Sequence, residues 1–145
     1  MSAIGIVMPV YFRGASRLED PHCTLVYLGE FGKVDVSRHA VEQATERLRG
    51  QCRPMMVDVL GLEVFGKGTC TVMKLAERTL KSYRDFIDKE LARDGIRSGS
   101  EYAYNPHVTI NKHMVSSEPI LPWYNFEVPN RVWIDRPTVW WNGER

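Results

Sequence analysis

Two of the four histidines in this 145-residue chain sit in the same short pattern. Pro21-His22-Cys23-Thr24-Leu25 and Pro106-His107-Val108-Thr109-Ile110 each read Pro-His-x-Thr-aliphatic. From ordinary residue usage, one such coincidence around a histidine has a probability of order 10⁻³, and two among four histidines of order 10⁻⁵. In a strand, residues i and i+2 point to the same side, so each motif sets an imidazole beside a hydroxyl on one sheet face. Imidazole is the side chain suited to exchanging protons near neutral pH, and a threonine hydroxyl can donate to a phosphate oxygen. Two such units on opposite walls of a cleft would supply a base, an acid and two donors to one phosphoryl group. In-line displacement at phosphorus needs that set and no metal, and either histidine can be the base. A single His-x-Thr would be read as a half-buried polar pair; the duplication carries the signal.

The other candidate ligands do not form a metal-binding pattern. His39 and His113 stand at no ligand spacing from another His, Cys or carboxylate, and HExxH, paired-cysteine and EF-hand patterns are absent. No GxxxxGK[ST] loop is present to cradle a nucleoside triphosphate. The chain is therefore expected to work with no metal and no cofactor. Cys23, Cys52 and Cys70 make no CxxC pair and cannot all be bridged, which suits reduced thiols in a cytoplasmic protein.

The elements that must position the motifs follow from periodicity. Ile4 to Phe12 and His22 to Leu28 read as strands, the second stopping at Gly29, with a polar stretch between them. Asp35 is the expected N-cap of a helix to about Arg49, with Val36, Ala40, Val41, Ala44 and Leu48 on one face and Gly50 at its end. Met55 to Leu60 and Thr69 to Leu75 read as a hairpin across Gly66-Lys67-Gly68. A second helix is expected over Leu80 to Arg93, with Leu80, Tyr83, Ile87 and Leu91 facing the core and Gly95 ending it. Arg97 to Pro106 reads as loop and His107 to Asn111 as the second motif strand. Asn125 to Val128 and Arg131 to Trp141 complete the strands. Strands with hairpin-like local connections and two helices indicate an α+β fold with mostly antiparallel sheets. No linker or low-complexity tract divides residues 1–145, so one domain is expected.

Composition narrows the partners. With 19 basic and 18 acidic residues the formal charge is +1, well short of the basic excess that holds long duplexes. A small ligand fits this balance better. No stretch approaches 18 apolar residues, and the N-terminus lacks a basic region followed by an apolar run, so neither a membrane span nor a secretory signal is expected. Tyr11, Trp133, Trp140 and Trp141 are candidate base-stacking surfaces. If the tail is a strand, Trp140 and Trp141 face opposite ways. Arg13 and Arg17 precede the first motif and could reach a phosphate.

HCTLVYLG and HVTINK resemble the two motifs of the 2H phosphoesterase superfamily, which includes bacterial 2′-5′ RNA ligase-like proteins, cyclic phosphodiesterases and phage anti-CBASS enzymes. Lys112 stands where many relatives carry arginine. The order strand, motif strand, helix, hairpin, helix, motif strand, strands fits over nearly the whole chain. The resemblance implies a bilobal fold with two antiparallel sheets around a central cleft, flanking helices and pseudo-two-fold paired motifs. It implies that His22, Thr24, His107 and Thr109 form a catalytic tetrad, with Tyr11, Trp141, Arg13 and Lys112 as substrate-binding candidates. The short chain, without a basic insertion to grip tRNA, is similar to the compact anti-CBASS branch. That branch implies hydrolysis of 3′-5′ linkages in small cyclic oligonucleotide signals, in the host cytoplasm if the chain is phage-encoded. The alternative is a 2′,3′-cyclic nucleotide phosphodiesterase or a 2′-5′ RNA ligase-like enzyme acting on RNA ends.

Overall fold

The computed structural model describes residues 3–13, 21–30, 38–65, 70–96, 104–111 and 128–141. In chain order the elements are β1 (Ala3–Tyr11), β2 (His22–Glu30), α1 (Arg38–Arg49), β3 (Met55–Phe65), β4 (Cys70–Leu75), α2 (Arg78–Arg93), β5 (His107–Asn111), β6 (Arg131–Ile134) and β7 (Thr138–Trp141). The fold is α+β, and every strand pairing is antiparallel.

The strands run β2-β5-β4-β3-β6-β1-β7, and β2 also pairs with β1, so six strands close into a ring with β7 added on β1. Closure depends on two long strands that change neighbours along their length. One edge of β1 pairs with β2 from Ala3 to Pro9; the other pairs with β7 over Ile4 to Val7 and with β6 at Val10 and Tyr11. Likewise β3 pairs with β6 over Met55 to Asp58 and with β4 from Val59 onward. One continuous array therefore stands where two separate sheets were expected.

Alternation decides what each face meets. Ile4, Ile6, Met8 and Val10 of β1 are buried in a core shared with Val41, Ala44 and Leu48 of α1 and with Leu80, Ile87 and Leu91 of α2. These are the helix faces that the 3.6-residue spacing selects. The helices are also joined by Glu90, a buried carboxylate 2.8 Å from Arg47 and 3.4 Å from Arg93. A buried charge persists where opposite charge surrounds it.

Three boundaries depart from the sequence reading. β2 runs past the expected stop at Gly29 (φ 114°) to Glu30, and β3 runs past Leu60 through Gly61 (φ 139°) to Phe65. Each glycine sits at a register slip, where it accepts the positive φ that other residues resist. The segment Arg131 to Trp141 is two strands, because Pro137 has no N–H to give a ladder and β6 and β7 pair with different ends of β1. The Asp35 cap, the Gly66–Gly68 turn and residues 125–127 of the expected penultimate strand lie outside the described residues, and Val128 is in no strand. Among the described residues no helix is long and apolar enough to cross a membrane.

Candidate active site

The two motifs lie on neighbouring strands. β2 and β5 pair with Cys23 opposite Val108. Continuing that antiparallel register by one residue sets His22 opposite Thr109 and Thr24 opposite His107. The two histidines then occupy one diagonal and the two threonines the other, about 7–8 Å apart by ordinary sheet geometry. Cys23 and Val108 are fully buried, whereas all four motif side chains are partly open. The tetrad thus shares one face of one sheet, related by the local two-fold of the antiparallel pair. Opposite walls of a cleft were expected; side-by-side strands are what the structure has.

A row of buried side chains anchors this pair from below. Met8, Cys23, Val108 and Met73 are consecutive Cα partners across β1, β2, β5 and β4, and all four are fully buried. Alternation then turns His22, Thr24, His107 and Thr109 to the face that the helices do not cover.

The strand carrying His22 is irregular just after Thr24. Val7 pairs with Thr24 but Ile6 pairs with Val26, so Leu25 is an extra residue in β2. A bulge leaves carbonyls out of the ladder, and two side chains take them up. The Tyr104 hydroxyl donates to the Thr24 carbonyl at 2.9 Å, and Arg84 Nη1 donates to the Leu25 carbonyl at 2.9 Å. Arg84 also lies 5.3 Å from the Tyr104 ring centroid and pairs with Asp88 at 3.2 Å. A helix and the segment before His107 thereby hold the backbone of the other motif. Burial pushes the Tyr104 phenol well above its ordinary range, with the neighbouring Cys23 adding to the shift. The phenol therefore stays a donor.

The sequence did not mark Tyr104 or Arg84, since single polar residues on a helix face and in a loop look solvated until the fold brings a carbonyl to them.

His107 has a defined tautomer. Its Nδ1 lies 2.7 Å from the Asn105 carbonyl, which can only accept, so Nδ1 carries the proton. In the neutral ring the lone pair is then on Nε2, the atom that would exchange a proton with a ligand. The His22 ring packs against Trp140, with centroids 4.8 Å apart and planes at 58°. This contact reaches over β1, since β7 and β2 flank that strand, and it requires the sheet to curl toward the tetrad face. Gly5 is the Cα partner of Trp140, and a Cβ there would come within 3.0 Å of the Val26 carbonyl of β2.

The expected ligand-binding residues divide. Tyr11 follows Pro9, the partner of His22, by two residues, so it lies on the tetrad face, and it is exposed beside its cross-strand partner Trp133. Arg13 is exposed just past β1. Trp141 is on the other face, paired with Ile4 and packed on the core with Arg38 at 5.1 Å from its ring. Trp140, not Trp141, is the tryptophan beside the tetrad, as the strand alternation requires. Lys112 and Arg17 lie outside the described residues. Among the described residues no group of three or more His, Cys, Asp or Glu is placed to hold a metal ion.

Cys23 is not a nucleophile in waiting. Burial pushes its thiol up to about 11 from 9.0, partly offset by its hydrogen-bond contacts with the Tyr104 hydroxyl and the His107 backbone. The native state keeps the proton while the unfolded chain loses it above pH 9. Stability is therefore fully present below pH 9 and falls from there to about pH 11, by about 1.4 kcal/mol per pH unit. Urea unfolding at pH 8, 9 and 10 should show this component in the native sequence and not in Cys23→Ala. Equal slopes in the two proteins would count against it.

No family model and no curated protein matches the sequence. Solved structures do match the fold. A phosphoesterase crystal structure superimposes with a TM-score of 0.61 at 14% identity, covering 97% of this chain and 88% of that one. E. coli LigT complexed with 3′-AMP gives a TM-score of 0.59 at 16% identity, covering 97% and 87%. The MHV ns2 PDE domain gives 0.60 at 14% identity, covering 98% of each chain. The protein has the fold of these phosphoesterases, with its two His-x-Thr motifs paired on adjacent strands.

Proposed function

We propose that the protein is a phosphodiesterase that cleaves a small nucleotide diester over the β2–β5 pair without a metal. The observation that carries this is the register: Cys23 opposite Val108 puts two histidines and two threonines around one point on an open face. A phosphoryl group above that point has an imidazole on each side along one diagonal and a hydroxyl on each side along the other. With a 3′-5′ diester, one histidine takes the proton of the ribose 2′-OH, whose oxygen attacks phosphorus. The 5′-oxygen leaves and takes a proton from the other histidine, and the new end is a 2′,3′-cyclic phosphate. With a 2′,3′-cyclic phosphate as substrate, the base activates water instead. Thr24 and Thr109 donate to the non-bridging oxygens as charge gathers there. The fold shared with a phosphoesterase and with LigT bound to 3′-AMP supports this reading.

The preferred substrate is a small cyclic oligonucleotide, as in anti-CBASS immune evasion. Exposed Tyr11 and Trp133 on the tetrad face, and Trp140 against His22, offer aromatic surfaces for more than one base. Arg13 and Lys112 are the remaining substrate-binding residues of this reading. The second reading is a 2′,3′-cyclic nucleotide phosphodiesterase or 2′-5′ RNA ligase-like enzyme, which the fold shared with LigT favours.

The test is chromatography of cyclic di- and trinucleotides, a 2′,3′-cyclic mononucleotide and a 2′-5′ dinucleotide after incubation with the protein in excess EDTA. Turnover of a cyclic oligonucleotide in EDTA is expected. Turnover of the cyclic mononucleotide or 2′-5′ dinucleotide alone would select the second reading, and loss of all turnover in EDTA would remove the metal-free mechanism.

A further inference from the structure

The four motif residues have four different outer neighbours. Pro9 and Val7 of β1 are the Cα partners of His22 and Thr24, and Val72 and Lys74 of β4 are those of Thr109 and His107. Three of these are apolar and one is a cation. Alternation on β4 buries Met73 and Leu75 on the helix side, so Lys74 is on the tetrad face with His107. The Leu75 N–H donates to the Pro106 carbonyl at 3.0 Å. Lys74 and His107 are therefore a non-hydrogen-bonded pair, the kind in which Cα atoms approach to about 4.5 Å and side chains lie closest.

Lys74 does not stand alone. Its Nζ is 3.1 Å from Glu63, on β3, with the two side chains 35% and 46% exposed. Glu63 pairs with Val72, so it reaches Lys74 diagonally, and the position directly across from Lys74 is Gly61, which has no side chain. The ammonium is held at the edge of the tetrad by a weak, half-exposed pair. An anion with more charge, placed over β2 and β5, can draw it away.

Resting on the phosphodiester reading above, we infer that Lys74 is a phosphate-binding residue of this site and that Glu63 holds its ammonium while no phosphate is bound. The ammonium swings from the Glu63 carboxylate to a non-bridging phosphoryl oxygen. There it opposes the charge that builds as the attacking oxygen joins phosphorus. The glutamate then competes with the substrate for the same cation, so removing it strengthens phosphate binding.

The test uses the full chain, with inorganic phosphate as the probe in calorimetric titration and turnover of the preferred diester as the second readout. Lys74→Met should bind phosphate about tenfold more weakly and lose about 10–100-fold in kcat/KM, most of it in kcat. Lys74→Arg should keep most of both. Glu63→Gln should bind phosphate about two- to fivefold more tightly, the opposite sign from Lys74→Met. A merely structural pair would lower Tm equally in both variants and shift phosphate binding in neither, or in the same direction. That result, native binding by Lys74→Met, or no phosphate binding by the native protein would each overturn the assignment. Loss of turnover in His22→Ala with full turnover in Lys74→Met would remove the role of Lys74 alone. Full turnover in His22→Ala and His107→Ala would remove the phosphodiester reading itself.

Discussion

His22→Ala and His107→Ala are each expected to lower kcat on the preferred diester by about 10²–10⁴-fold, the usual worth of a positioned acid or base. The expectation rests on a geometry in which neither ring can replace the other. The two imidazoles stand on opposite sides of the Cys23–Val108 centre, so one reaches the attacking oxygen and the other the leaving oxygen. The double variant should be little worse than either single one, because a displacement lacking one proton transfer gains little from the second. Both side chains are partly open, so thermal melting should show the variants folded. His22→Ala also leaves Trp140 without the ring 4.8 Å from it, which predicts a change in tryptophan fluorescence in this variant and not in His107→Ala. Native-like turnover by both variants, measured by chromatography in EDTA, would sink the two-histidine mechanism.

Val108→Asp is expected to be the most damaging single change to stability among the residues between the motif side chains. Val108 is fully buried, with Cys23 on one side and Met73 on the other. A carboxylate there leaves water for a sulfur- and methylene-lined row. An uncompensated buried charge costs about 3–5 kcal/mol, a large part of the 5–15 kcal/mol that holds a typical domain together. Val108→Ala, which only opens a small void, should cost about 1–3 kcal/mol. Urea unfolding of the alanine variant and solubility with circular dichroism of the aspartate variant would measure both. A cooperative, native-like melt for Val108→Asp would show that this row is not the floor of the site. Because the same row carries both motifs, surviving Val108→Ala protein should also lose activity beyond its loss of stability.

The sequence by itself determined which residues could do the chemistry and what local structure carries them. The repeated Pro-His-x-Thr-aliphatic pattern selected His22, Thr24, His107 and Thr109. Strand alternation sufficed to say that each His and Thr share a face, because a side-chain period of two is local. The helix faces were legible for the same reason: Val41, Ala44 and Leu48, and Leu80, Ile87 and Leu91, lie at spacings that only a helix aligns. Alternation also separated Trp140 from Trp141, although which of the two meets the tetrad needed the pairing with β1. What only the tertiary structure decided is everything that depends on which strand lies beside which. The motifs are far apart in the chain, and no local rule states that β2 pairs with β5, with Cys23 opposite Val108. The closed ring likewise depends on β1 and β3 each serving different neighbours, and Gly29 read as a stop because a bulge and a strand end use the same residue. Tyr104, Arg84 and Lys74 were invisible for a related reason. A lone tyrosine, arginine or lysine acquires a role only when folding brings to it a bulged carbonyl or a motif histidine from a distant part of the chain.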